Sequence, residues 1–154
     1  MGSPLRVDLM NGLLAGVAAT LALSLIVVVR DALGLMPGPD LIRVFAMIAG
    51  EIGLPETNTW GWILHAAAGL AWGLLFGYIQ HRQPGRPALK GLFLGAVIWV
   101  GVIFLIMPMI GAGFAGYDLA PATAGVMLAL NLAYGAILGG AYLGLEALQG
   151  ETPA

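Results

Sequence analysis

Four stretches of about twenty apolar residues, near 10–29, 62–79, 91–110 and 122–145, constrain this chain more than anything else in it. At 1.5 Å of rise per residue, roughly 20 such residues carry a helix across about 30 Å of hydrocarbon. Lipid offers no partner to a backbone N–H or C=O, so each stretch is expected to be a transmembrane helix. The ten-residue segments of alternating polarity that mark a membrane barrel do not occur. Composition agrees: 60% of residues are hydrophobic and 9% charged, where soluble domains carry about a quarter charged. The expectation is one all-α transmembrane domain over residues 1–154, with the bilayer as its solvent. A net charge of −2 without a basic block leaves nucleic acid no electrostatic footprint. The absence of Cys removes disulfides, thiolate metal sites and cysteine nucleophiles.

Arg6 ahead of the first apolar run resembles the start of a signal peptide, but the run is longer than the usual 7–15-residue apolar core and is read as a retained helix. Arg82, Arg86 and Lys90 crowd the connection between spans two and three, while Arg30 and Arg43 on the opposite side are offset by Asp31, Asp40, Glu51 and Glu56. The positive-inside rule then puts both termini in the cytoplasm. Trp60, Trp62, Tyr78, Tyr117 and Tyr142 fall near predicted helix ends, where amphipathic rings favour the headgroup region.

Two pairs of spans carry matching strings. Gly69-Leu-Ala-Trp72-Gly73-Leu-Leu-Phe-Gly77 aligns with Asn131-Leu-Ala-Tyr134-Gly135-Ala-Ile-Leu-Gly139, and Gly12-Leu-Leu-Ala-Gly16 with Gly91-Leu-Phe-Leu-Gly95. The pattern reads as a tandem repeat of a two-helix hairpin, both copies pointing the same way. Extra residues in the first copy include Leu41, Phe45, Ile48 and Ile52 at helical spacing. They predict a short amphipathic helix near 40–53, capped by Asp40 and ended by Pro55, lying on the interface or re-entering the bundle as a lid.

Small residues recur every four positions in all four spans: Gly12, Gly16, Thr20 and Ser24; Gly69, Gly73 and Gly77; Gly91 and Gly95; Gly135 and Gly139, with Gly140 and Gly144 beside them. Lipid is as apolar as Leu, so helices associate in it through close backbone approach at such ridges. All eleven glycines are assigned to helix packing, Gly140 and Gly144 with the alternative of facing a second copy or a partner. A bundle packed this tightly is expected to leave little room for a water-filled path through one protomer.

Polar groups at membrane depth are candidates for function. Asn131 lies mid-way along the last span and is expected to make an interhelical hydrogen bond unless it meets a ligand or proton. His65 sits about one turn inside the second span and His81 at its other end, so they cannot share one metal or haem iron. Arg30 and Asp31 meet the interface, where they pair locally or form a transport gate. Met107-Pro108-Met109 ends the third span, with Pro108 expected to kink or stop the helix. Gly111-Ala-Gly113-Phe-Ala-Gly116 fits G-x-G-x-x-G but lacks the strand–turn–helix setting that makes it a dinucleotide site, and reads as a turn. No Ser/His/Asp set, metalloprotease motif or carboxylate pair is present, so neither catalysis, metal nor cofactor is expected.

The Gly-Leu-x-x-Gly starts, Leu35-Met-Pro-Gly-Pro-Asp40 and Asn131-Leu-Ala-Tyr134-Gly135 together resemble an uncharacterised family of small four-helix bacterial inner-membrane proteins. The resemblance implies a cytoplasmic-membrane setting. It also implies His at the position of Asn131, so a His-dependent activity would not carry over. The function expected from the ridges is a non-catalytic accessory or assembly subunit, packing against itself as a homo-oligomer or against a larger membrane complex. The alternatives are a small oligomeric transporter or channel and, more distantly, haem or quinone binding.

Overall fold

A computed structural model describes residues 4–34 and 40–150. Residues 35–39, most of the Leu-Met-Pro-Gly-Pro-Asp string, lie outside the described residues. Within them the chain is helical without strands: α1 (Pro4–Ala32), α2 (Leu41–Glu51), α3 (Asn58–Arg82), α4 (Pro87–Met109) and α5 (Thr123–Gly150), with one 3-10 turn at Phe114–Gly116. The four long helices are long and apolar enough to cross a membrane, and each contains its predicted span to within a residue or two. Large apolar side chains point outward along them, Leu21, Phe93 and Leu105 each about two-thirds exposed. In water such a surface would aggregate; in lipid it is solvated. The protein is a multi-pass membrane protein.

Glycine sets the helix order. Gly12 and Gly16 of α1 lie against Gly73 and Gly77 of α3 so closely that a Cβ on Gly16 would stand 2.8 Å from the Gly73 Cα, and one on Gly12 2.6 Å from the Gly77 Cα. Gly91 and Gly95 of α4 meet Gly135, Gly139 and Asn131 of α5 in the same manner, a Cβ on Gly91 falling 3.0 Å from the Gly139 Cα. No side chain larger than hydrogen fits these crossings. The second crossing uses the residues that the matched strings pair with those of the first. α1 also packs on α5, so the helices run α3–α1–α5–α4, and α3 and α4 scarcely touch. The ridges are thus used up in two tight pairs and do not close a ring.

Gly140 and Gly144 correct the sequence reading. A Cβ on either would meet nothing within 4 Å, because they lie on the outward face of α5, one residue round from the ridge that packs. Tyr142, expected near a helix end, is fully buried inside the bundle. Its hydroxyl donates to Asp8 Oδ1 (3.0 Å), whose other oxygen pairs with His81 Nδ1 (2.9 Å). Asn11 and Gln149 exchange two amide hydrogen bonds beside them (3.1 and 2.8 Å). These groups tie α1, α3 and α5 at the end of the bundle that holds both termini.

Helix α2 forms as expected, with Asp40 Oδ1 accepting from Ile42 N (2.9 Å) and Arg43 N (3.2 Å). It stops at Glu51, before Pro55, because Gly53 takes a left-handed φ of 80° and Leu54 N bonds back to Ala49 O (2.9 Å). Its inner face is Leu41, Ile42, Val44, Ala46 and Ala49, while Ile52 is left exposed. It lies on α3 at Gly61, where a Cβ would come 2.9 Å from Ile42 Cγ2.

Overpacking a filled contact costs typically about 1–3 kcal/mol. Gly73→Val should therefore lower the thermal unfolding midpoint in mild detergent markedly, whereas Gly140→Val, facing open space, should change stability by less than about 0.5 kcal/mol. Equal losses would contradict the assigned crossings.

Candidate functional site: an apolar pocket at the α3–α4 seam

Where α3 and α4 fail to meet, a cavity of about 480 Å³ remains. Ala68 and Trp72 form its α3 wall, Val97, Gly101 and Leu105 its α4 wall, and Met127, Leu130 and Tyr134 of α5 its floor. Leu41, Val44, Phe45 and Ile48 of α2 close one end. The walls are almost wholly apolar. Val97 and Leu105 are 46% and 69% exposed, so the cavity opens sideways, toward where the bilayer would lie.

The backbone of α4 helps to make this space. Pro108 has no N–H to give the Phe104 carbonyl, and its ring crowds that carbonyl. One turn earlier, Val102–Ile106 is wound as a π-helix, with Met107 N donating to Val102 O. The wider turn and Gly101, at which a Cβ would meet nothing within 4 Å, leave the wall hollow. Pro108, expected to kink or stop the helix, stands one residue before the end of α4 at Met109. The following Gly111, Gly113 and Gly116 all take positive φ. The G-x-G-x-x-G string is a turn, as expected.

Two of the four polar candidates meet in this pocket: His65 and Asn131 both line it. The His65 ring, 5% exposed, is held edge-on between Phe45 (5.4 Å) and Trp62 (5.8 Å), with Nε2 3.0 Å from Ser24 Oγ. Ser24 Oγ also lies 2.8 Å from Thr20 O. When Ser24 gives its single proton to that carbonyl its oxygen accepts, so Nε2 carries the proton in the neutral ring and Nδ1 keeps a lone pair. Asn131 does not make the expected interhelical bond. Its Nδ2 donates to Met127 O of its own helix (2.8 Å), which a flipped amide could not do. Its Oδ1 and second N–H have no partner among the described residues.

Arg30 and Asp31 are not part of this site. They pair with each other (2.6 Å) at the end of α1 and do not line the cavity. Two residues that were not among the sequence candidates do line it. Tyr134 donates to the Gly69 carbonyl of α3 (2.8 Å), a bond that joins α5 to α3 directly, and Thr20 stands over Gly69, bonded to Gly16 O (2.7 Å). Tyr134 was visible only as a letter of the repeated string. Beyond it, Phe76, Leu138 and Tyr142 are fully buried and fill the interior toward the termini. No group of three metal-ligating side chains occurs among the described residues.

The fold and the pocket define a four-span integral membrane protein with a binding-sized cavity open to the side. The chain belongs to a family of unknown function, DUF6789, whose model matches residues 7–151. Neither a curated protein nor a solved structure matches it.

Tyr134→Phe removes one buried interhelical hydrogen bond and should cost on the order of 1 kcal/mol in detergent unfolding. Asn131→Leu, which removes only a bond within one helix, should cost less. The reverse order would show that Asn131 bridges helices after all.

Proposed function

We propose that this protein is a non-catalytic component of the bacterial cytoplasmic membrane that holds a lipid-soluble molecule in the α3–α4 pocket. The observation that carries the reading is the combination of apolar walls and a lateral mouth. A ligand partitioned into the bilayer reaches such a site without crossing water, and binding sites for small molecules are concave, largely preformed and mostly apolar with a few placed polar groups. At about 30 Å³ per water-sized group, the cavity has room for roughly sixteen methylene-sized groups. The family resemblance and the Lys/Arg asymmetry support the inner membrane with both termini cytoplasmic, which puts the pocket nearer the outer leaflet. The equivalence of the two glycine crossings supports descent from a duplicated hairpin.

A second reading has one observation of its own. Gly140 and Gly144 present small residues to open space on the outer face of α5, which suits an accessory subunit that packs against a second copy or a larger complex. The two roles are compatible. Transport through a single protomer is favoured less, since the half of the bundle beyond Tyr134 is filled.

Solvent extraction of protein purified from its native membrane, followed by mass spectrometry, tests the reading. About one lipophilic molecule per chain is expected in the parent. Gly101→Phe, which projects a ring into the pocket without meeting the backbone, should lose it while keeping the parent's thermal stability. Identical complements in the two proteins would overturn the proposal.

A further inference from the structure

The hydrogen-bonding groups in the pocket go further than its shape and point to one chemical class of ligand. This step rests on the binding role proposed above. With Ser24 Oγ donating to Thr20 O, as its 2.8 Å contact allows, His65 Nε2 is the donor to Ser24 Oγ and the neutral imidazole carries its proton there. What His65 has left is an acceptor, Nδ1, with no donor among the described residues. Asn131 spends one N–H on Met127 O and has left one N–H and the carboxamide oxygen. Tyr134 and Thr20 have both given their hydroxyl protons to backbone carbonyls. The pocket's unspent polar groups are then two acceptors, the imidazole Nδ1 and the Asn131 Oδ1, and two N–H donors, the second amide N–H of Asn131 and the indole of Trp72, which has no partner among the described residues.

An acceptor that faces an apolar pocket without a donor costs free energy, and a ligand that supplies the donor removes the cost. A ketone, ester or quinone head offers acceptors alone and leaves Nδ1 unanswered. A hydroxyl offers one donor and also accepts. We infer that the pocket binds a lipid-soluble alcohol or phenol, its chain along the α3 and α4 walls and its hydroxyl among His65 and Asn131. The hydroxyl donates to His65 Nδ1 or Asn131 Oδ1 and accepts from the Asn131 amide. His65 and Asn131 are the residues that determine specificity, while Val97 and Leu105 meet only the chain.

The test uses the full-length protein in lipid nanodiscs and three probes of similar size: farnesol, farnesyl methyl ether and farnesylacetone. The alcohol has a donor, and the ether and the ketone do not. The loss of one buried hydrogen bond corresponds to about ten-fold in affinity, so farnesol should bind at least that much more tightly than either. Asn131→Leu, whose only protein bond lies within its own helix, should narrow the gap, and so should His65→Leu. Because the probe comparison is made in the parent protein, it does not depend on either variant folding. Equal binding of the three would overturn the inference yet leave an apolar binding role intact, as would tighter binding of the ketone. Binding that Gly101→Phe fails to reduce would place the probes outside the pocket and overturn both. Nitrogen NMR of labelled His65 provides an independent check: a protonated Nδ1 in the unliganded neutral ring would contradict the assignment.

Discussion

Close backbone approach at glycine is the constraint from which the rest of this structure follows. Inside lipid there is no water to expel from between helices, so packing and short-range polar contacts must hold them together. This chain concentrates that packing in two crossings, Gly12 and Gly16 against Gly73 and Gly77, and Gly91 and Gly95 against Gly135 and Gly139. Each produces a pair of helices with almost no side chain between them. Joining the pairs through α1 and α5 places α3 and α4 at the two ends of a row. The open seam between them is a consequence of where the glycines are, and α2 covers only one end of it.

The seam becomes a pocket because α4 is not a regular helix there. Pro108 removes a backbone donor, and the turn before it widens into the π-helical segment beside Gly101. A Leu at position 101 and an unbroken α-helix through 108 would bring side chains across the gap. The apolar walls are what any lipid-facing surface of this chain would offer. The distinctive features are the two polar side chains set among them, each oriented by a bond that leaves part of its hydrogen-bonding capacity unspent.

Much of this architecture is legible in the amino-acid order, and the failures are informative. The spans follow from apolar length alone, and nine of the eleven ridge glycines pack as their four-residue spacing implies. That spacing identifies a ridge without saying which of two adjacent ridges meets a neighbour, so Gly140 and Gly144 cannot be separated from Gly135 and Gly139 by pattern. Tyr142 looks like an interface anchor because of its place near a helix end; its partner Asp8 lies 134 residues away on α1. Asn131 stands deep in the last span as read, but its choice of the Met127 carbonyl over another helix depends on a rotamer. The pocket is the least legible feature. It arises where two helices do not pack, and no motif records a contact that is missing. His65 and Ser24 occupy matching depths on their helices, yet only the α1–α3 register set by glycine shows that they touch.

The account's central claim, that the seam between α3 and α4 is open to lipid and closed to water, can be measured directly. The chain has no Cys, so Val97→Cys gives a single attachment point for a nitroxide at the mouth of the pocket. In reconstituted bilayers its collision rate is compared between oxygen, which concentrates in lipid, and a nickel chelate, which stays in water. Frequent collisions with oxygen and few with nickel are predicted. Low rates for both would mean that the seam is shut against another helix, and a high nickel rate would mean a water-filled path; either result would contradict the structure described here.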